Sequence, residues 1–275
     1  MRIHSSTLAT VGATTAAAML LRREHTGRQS AERFAAAALE TLLKAIDAND
    51  GETGAHVRRV ATYALILADA AGLDEHQKRI VERVALFHDI GKIHAALFDI
   101  IHDDKRLTPA ERREVLTHPK RGAEVLAPLQ AFYPELPDGV LSHHERWNGT
   151  GYPRQLKGRR IPLSARIVAV ADTFDAITHH RRYRHGRSAE VAHDIVLAGR
   201  DTEFDPELVD LFTFPPVFAR ILAAERAVGQ WKTPVTQRRA GREEEQVPDI
   251  TFRWRPGRSG GRGQPATDRP RRTAR

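Results

Sequence analysis

Eight residues in the middle of the chain have the types and spacing for metal chemistry. Five are histidines: His56, His88, His118, His143 and His144; three are carboxylates: Glu52, Asp89 and Asp172. Imidazole with carboxylate suits iron, manganese or zinc, and a set this rich can hold more than one ion. The run His88-Asp89-Ile90-Gly91-Lys92 concentrates three functions in one short element: a metal contact, a carboxylate able to bridge, and a cation for phosphate. Asp89 is the most telling single residue. An acid set directly after a histidine, inside an apolar helical stretch, is costly to bury without a cation. A lone histidine such as His118 would carry no such reading, whereas the adjacent pair His143-His144 rarely satisfies a core.

The positions of these residues follow from the elements that must carry them. Between His56 and Ala71 the residues Val57, Val60, Ala61, Ala64 and Leu67 form one helical stripe, and Gly72 supplies a left-handed stop. Asp74 with Gln77 is a capping box for a second helix, which Gly91 is expected to end. Thr108-Pro109-Ala110-Glu111 is another capping box, with proline where its missing donor costs nothing. Ser164 is expected to open a helix running through Phe174, Ser188 another, and Asp205-Pro206-Glu207 the last. His56 stands at the edge of its helix's buried stripe, His88 follows Val84 by four, and Asp172 follows Val168 by four. Glu52 precedes His56 by four, within reach of a shared ion if that turn is helical. No alternating stretch of strand length stands out, so the expectation is an all-α domain.

Composition sets outer bounds. The 275 residues suit one large domain with tails; 41% are hydrophobic and 28% charged, ordinary for a globular protein. There is no cysteine, which excludes disulfides, iron–sulfur clusters and thiolate zinc sites. The net charge of +8 is drawn in good part from arginines between Arg253 and Arg275, interspersed with glycine and proline. Such a tail cannot bury enough apolar surface to fold alone, and it would attract anionic surfaces weakly. Leu8 to Leu21 is too short and too polar for a spanning helix, and Arg22-Arg23 follows it on the wrong side for a secretory signal. A cytoplasmic protein is expected, with a leader over 1–40, a folded domain over 41–225 and a disordered basic tail over 226–275.

The motifs resemble those of the HD-GYP domain, a bacterial cyclic di-GMP phosphodiesterase family built on the helical bundle of the HD superfamily. The resemblance runs from about Ala45 to Leu211. Its stretches are Glu52-Thr-Gly-Ala-His56, His88-Asp-Ile-Gly-Lys92, Leu107-Thr-Pro-Ala-Glu111, His118-Pro119 and His143-His-Glu-Arg-Trp-Asn-Gly-Thr-Gly-Tyr-Pro153. They continue as Ile161-Pro162, Ala171-Asp-Thr-Phe-Asp-Ala176, Arg181-Arg-Tyr-Arg184 and Phe204-Asp-Pro206.

By this resemblance His56, His88, Asp89, His118, His143, His144 and Asp172 are metal ligands, with Asp89 bridging two ions. Glu52 matches a glutamate that brings in a third in some members. The cofactors implied are two or three divalent ions, Fe(II) or Mn(II). Asp89 and Lys92 carry the catalytic roles. Lys92, Arg181 and Arg184 meet the substrate, and Gly151, Tyr152 and Pro153 form the signature loop beside it.

Two such ions would activate water and stabilise the attacking and leaving oxygens in line. The expected reaction is hydrolysis of cyclic di-GMP to pGpG and, by a second cleavage, GMP. The resemblance also implies a diguanylate cyclase as partner through the Gly151-Tyr152-Pro153 loop; the sequence leaves oligomeric state open, a homodimer being one option. Two alternatives stand beside it: a catalytically silent module that binds the ring or docks a cyclase, and a hydrolase of another cyclic dinucleotide or nucleotide.

The chain departs from the family pattern at three places. Asn148 stands where the family has aspartate, and Arg182 where it has proline. The segment from Ile93 to Arg106 lacks the family's proline and glycine, so a lid lysine's role would fall to Lys105 or Arg106.

Overall fold

The computed structural model describes residues 27, 29–48, 50–93, 108–179 and 186–229. Among the described residues there is no strand, only an isolated bridge between Arg200 and Phe204. The chain divides into two units, Met1–Ala36 with Arg239–Arg275, and Ala37–Arg238. Every site residue lies in the second. A first helix, α1, covers residues 29–48 and crosses the position 40 that was expected to separate leader from domain.

Helix α2 (Gly51–Ala70) starts a turn and a half before His56, because Asp50 caps it by accepting from the Glu52 amide at 3.0 Å. Glu52 and His56 are therefore on one continuous helix. Leu73 N bonds back to Ala68 O and Gly72 N to Asp69 O, and Gly72 takes the left-handed φ of 71° that closes the helix. Helix α3 (Glu75–Phe87) opens with the expected Asp74–Gln77 capping box. It ends at Phe87, four residues before Gly91. The chain there tightens into a 3₁₀ turn, Ile90–Ile93, as Lys92 N bonds to Asp89 O at 2.9 Å.

Gly91 has a different task. A Cβ there would lie 2.1 Å from the carbonyl oxygen of His118 and 2.7 Å from the amide of Gly122. Only glycine lets the turn carrying Asp89 rest on the helix carrying His118.

Helix α4 (Pro109–Val115) has the expected Thr108–Glu111 capping box, and α5 (His118–Leu126) follows. Helix α6 (Leu136–Ser142) packs on α5, and α5 also packs on the 3₁₀ turn. Helix α7 (Leu163–Thr178) is capped at Pro162 with no side-chain bond; Ser164 is instead buried in its first turn. Helices α8 (Ala189–Ala198) and α9 (Pro206–Thr213) begin at Ser188 and Asp205 as the sequence suggests. The Asp205 helix is not the last, because α10 (Pro215–Gly229) follows and buries Val217 and Ile221. No helix among the described residues is long and apolar enough to cross a membrane.

Helices α2, α3 and α7 pack against one another as the inner layer, and α10 covers α2. Their shared core includes Val60, Ala64, Val84, Ile167, Val168 and Phe174. Phe174 is fully buried, with the rings of Tyr63, Phe212 and Phe218 at 5.2, 5.7 and 6.2 Å. Truncating such a ring costs about 3–5 kcal/mol. Because it sits between Asp172 and Asp175 on α7, the same packing fixes the rotation at which α7 presents those two acids.

Candidate metal centre

Five segments bring their donor side chains together: the first turns of α2, the end of α3, the start of α5, the end of α6 and the middle of α7. His56, His88 and Asp172 each bring a donor atom within 4.8 Å of the others, and His118, His143 and His144 do the same. Asp89 lies between these groups. Its Oδ2 faces His88 Nε2 at 3.5 Å and His56 Nε2 at 3.7 Å. Its Oδ1 faces His118 Nε2 at 3.3 Å and His143 Nε2 at 3.9 Å. Asp172 Oδ1 completes the first group, 3.3 Å from His56 Nε2 and 3.9 Å from His88 Nε2. One carboxylate thus addresses both groups with different oxygens.

Helix ends hold most of the rings. A helix leaves its last four carbonyls without partners. His88 caps α3 and its Nδ1 lies 2.7 Å from Ala85 O; His143 caps α6 with Nδ1 2.6 Å from Val140 O. His118, just past the end of α4, places Nδ1 2.7 Å from Val115 O. A carbonyl can only accept, so each Nδ1 carries the proton and each Nε2 presents a lone pair. His118 Nε2 and His143 Nε2 face each other at 3.2 Å.

His56 sits inside α2, where the carbonyls are taken, and its Nδ1 pairs with Asp175 Oδ2 at 2.7 Å instead. His144 is held by ring contacts, stacked on Tyr152 at 4.9 Å and tilted against His143 at 4.1 Å.

Burial and neighbouring charges set the charge states. Burial and then the Asp89 and Asp172 fields act on His88, and burial prevails to lower its pKa. Burial and the neighbouring imidazoles hold His143 well below the usual range and His144 at about 3. Burial alone would lower His56 too, but its bonds to Asp172 and Asp175 outweigh that and raise it to about 9. For Asp89, burial is outweighed by Lys92 and the histidines, which keep it ionised far below the ordinary carboxylate range. Lys92 Nζ stands 2.6 Å from Asp89 Oδ2.

These residues fit divalent cations. His56 Nε2 and His88 Nε2 on one side of Asp89, and Asp89 Oδ1 on the other, are buried without hydrogen-bond partners, and orphaned buried polar atoms beside further donors call for a cation. The donors are all nitrogen and oxygen, a set suited to iron, manganese or zinc.

Glu52 stays outside both groups: it lies exposed in the first turn of α2, toward solvent from His56. Gly151 is buried, with room for no Cβ because Arg146 N would lie 2.2 Å away, and Tyr152 lies over His144 while Pro153 is exposed. Arg181, Arg184 and the segment 94–106 lie outside the described residues. Asn148 is exposed and accepts from Thr150 N at 3.0 Å and Thr150 Oγ1 at 2.7 Å, bonds an aspartate would accept equally.

Three residues without an assigned role from the sequence complete the site. Asp175 and Arg59 stand behind His56, with Arg59 Nε and Nη2 on the two carboxylate oxygens at 2.6 and 2.9 Å. Glu145 is buried and accepts from Arg154 N at 2.7 Å and Leu156 N at 2.9 Å, pinning the loop that carries Tyr152. The three-residue step from Asp172 to Asp175 is a readable sign of a shared helix face; Glu145 falls inside the matched stretch 143–153, but its type and place there point to no role.

A family model described as HD domain matches residues 40–208. The cyclic di-GMP phosphodiesterase response regulator RpfG of Xanthomonas campestris pv. campestris is 39% identical over 62% of this chain and 46% of its own length. A 3'3'-cGAMP-specific phosphodiesterase 2 of Vibrio cholerae is 36% identical over 62% of this chain and 33% of its own. A cyclic di-GMP phosphodiesterase of Thermotoga maritima is 36% identical over 66% and 49%. The chain spans less than half the length of each of these relatives. The HD-GYP resemblance read from the motifs agrees with them, and with most of its helical unit matched to the model, this chain belongs to the HD domain family.

Proposed function

We propose that this protein is a metal-dependent phosphodiesterase that hydrolyses a cyclic dinucleotide, with cyclic di-GMP as its substrate and pGpG, then GMP, as products. The observation that supports this most is Asp89, whose two oxygens face two separate donor groups. His56, His88, Asp89 and Asp172 would hold one ion, and His118, His143, His144 and Asp89 the other. Divalent ions there supply Lewis-acid activation of water and of the phosphoryl group.

The chain's own residues do the rest. The Nδ1 bonds to main-chain carbonyls hold three imidazoles at fixed tautomer and angle, so that no reorganisation is needed when ions bind. Lys92, part-exposed beside Asp89, offsets phosphate charge, a task Arg181 and Arg184 share by resemblance. Tyr152, stacked on His144, walls one side of that donor group. Its loop, together with an exposed Pro153, is the surface offered to a cyclase domain.

The 3'3'-cGAMP-specific relative supports a second reading, in which the preferred ring is mixed. Both are tested together. Protein purified anaerobically is analysed for metal, then incubated with cyclic di-GMP and with 3'3'-cGAMP, and the products are separated by chromatography. Two or more ions per chain and release of pGpG or GMP is the expected outcome. Preference for the mixed ring moves the assignment to the second reading. A metal-loaded protein that leaves both rings intact defeats both and leaves a binding module.

A further inference from the structure

We propose that Asp175 is the positioning residue of the His56, His88 and Asp172 group, and that Arg59 positions Asp175. This rests on the metal-dependent reading above. His56 differs from the other ring-anchored histidines in what holds its Nδ1. His88, His118 and His143 use carbonyls left over at helix ends, which are present whatever the side chains nearby. His56 lies inside α2 and takes a carboxylate from α7, 119 residues away in sequence.

The carboxylate is itself fully engaged. Oδ2 receives His56 Nδ1 at 2.7 Å and Arg59 Nη2 at 2.9 Å; Oδ1 receives Arg59 Nε at 2.6 Å and His179 Nδ1 at 3.1 Å. Arg59 stands three residues after His56, one turn along the same helix, so α2 supplies both the ring and the fork that holds its anchor. Asp175 is 1% exposed. A planar fork meeting a buried carboxylate on two oxygens fixes its plane as well as its place. With that plane fixed, His56 keeps its proton on Nδ1 and points Nε2 at Asp172 and Asp89. A carboxylate partner also makes the imidazole a stronger donor than a carbonyl does. Within its group His56 is therefore set by a side-chain relay, whereas His88 beside it, like His118 and His143, is set by a helix-end carbonyl.

The test uses the full chain, stripped with EDTA and titrated with Mn(II), free ion being counted by its electron paramagnetic resonance signal. In Asp175→Asn one of two Mn(II) sites should weaken about 10- to 100-fold while the other keeps its affinity. Asp175→Glu, which retains the charged carboxylate, should recover part of the loss. His56→Ala should weaken the same site, and adding Asp175→Asn to it should bring little further loss, because the acid acts through the ring. Arg59→Gln gives a smaller loss at that site and carries the test if Asp175→Asn does not fold. Unchanged Mn(II) binding in the folded variants overturns the inference, as does a full additional loss in the double variant or equal weakening of both sites. A wild-type chain that takes up no Mn(II) instead overturns the metal-dependent reading, and the inference with it.

Discussion

Asp89 is where the residue scale decides most. Its carboxylate is 5% exposed and faces four imidazole nitrogens and one ammonium. Replacing it with asparagine removes the charge that both donor groups share. Asp89→Asn should lose metal from both and reduce turnover by more than about 10²-fold, above the range for an outer-shell partner. Elemental analysis beside the product assay checks it, and normal metal content in the variant would defeat the assignment. His56 sets the pH dependence. With its pKa held at about 9, it carries a proton at neutral pH that an ion must displace. Mn(II) affinity should therefore rise from pH 7 towards 9, by up to about tenfold per unit, and level off above. Calorimetry in two buffers of different ionisation enthalpy should return about one proton released per chain, and none in His56→Ala. The same shift carries a sign for the metal-free fold. A pKa raised above 6.5 gives stability that is complete below pH 6.5 and is lost as pH climbs through 9. The slope is at most about 1.4 kcal/mol per unit. A metal-free melting temperature that is flat over that window would count against the His56 ion pairs.

At the scale of elements, the site is built from helix ends, and this separates what the sequence disclosed from what it hid. Capping boxes at Asp74 and Thr108 and the stop at Gly72 are local chemistry, so they could be read directly. The identity of the histidines was legible for the same reason: adjacent or motif-bound residues announce themselves. The end of α3 was not, because nothing before Gly91 breaks a helix. It is the pairing of His88 with Ala85 O and the tight approach of Gly91 to His118 that bend the chain early. Such long-range contact leaves no pattern within a window. The placing of Glu52 was hidden too, since a four-residue step puts it on the face of His56 without saying how far the pocket extends. Asp175 was partly legible, and Glu145 was invisible, because its partners are backbone amides that every sequence has. Gly91→Ala tests the close approach. The added methyl meets the α5 backbone at His118 and Gly122, so the turn or α5 must move, at a cost of several kcal/mol. Thermal melts should fall, and metal should be lost from both groups, since Asp89 and His118 flank the displaced contact. A variant that melts normally with full metal content would show that the turn has another way to fit.

For the unit as a whole, the donors tie together segments far apart in the chain, from His56 on α2 to Asp172 on α7. Buried lone pairs and acids brought this close repel one another, and the core must hold them together when no cation shares them. An ion that binds the folded chain and not the unfolded one adds RT ln(1 + [L]/Kd), about 2.7 kcal/mol at a hundredfold excess over Kd. For a unit of about 200 residues that corresponds to roughly 5–10 °C in melting temperature per ion. Chelation should therefore lower the melting temperature by that amount or more, and Mn(II) should restore it in proportion to the logarithm of its concentration. The effect should be largest for the wild type, smaller in Asp175→Asn, and nearly absent in Asp89→Asn. Hydrogen exchange adds the spatial control. Protection gained on adding Mn(II) should appear in the donor-bearing segments, the first turns of α2, the end of α3, the start of α5, the end of α6 and the middle of α7, and not along α8 or α9, which contribute none. Protection rising equally in α8 and α9 would mean that the ions act by nonspecific association with surface acids such as Asp194 and Asp210, which carry no burial to make them selective. Protection confined to the donor-bearing segments would tie the stability of the fold to the same atoms that the proposed chemistry requires.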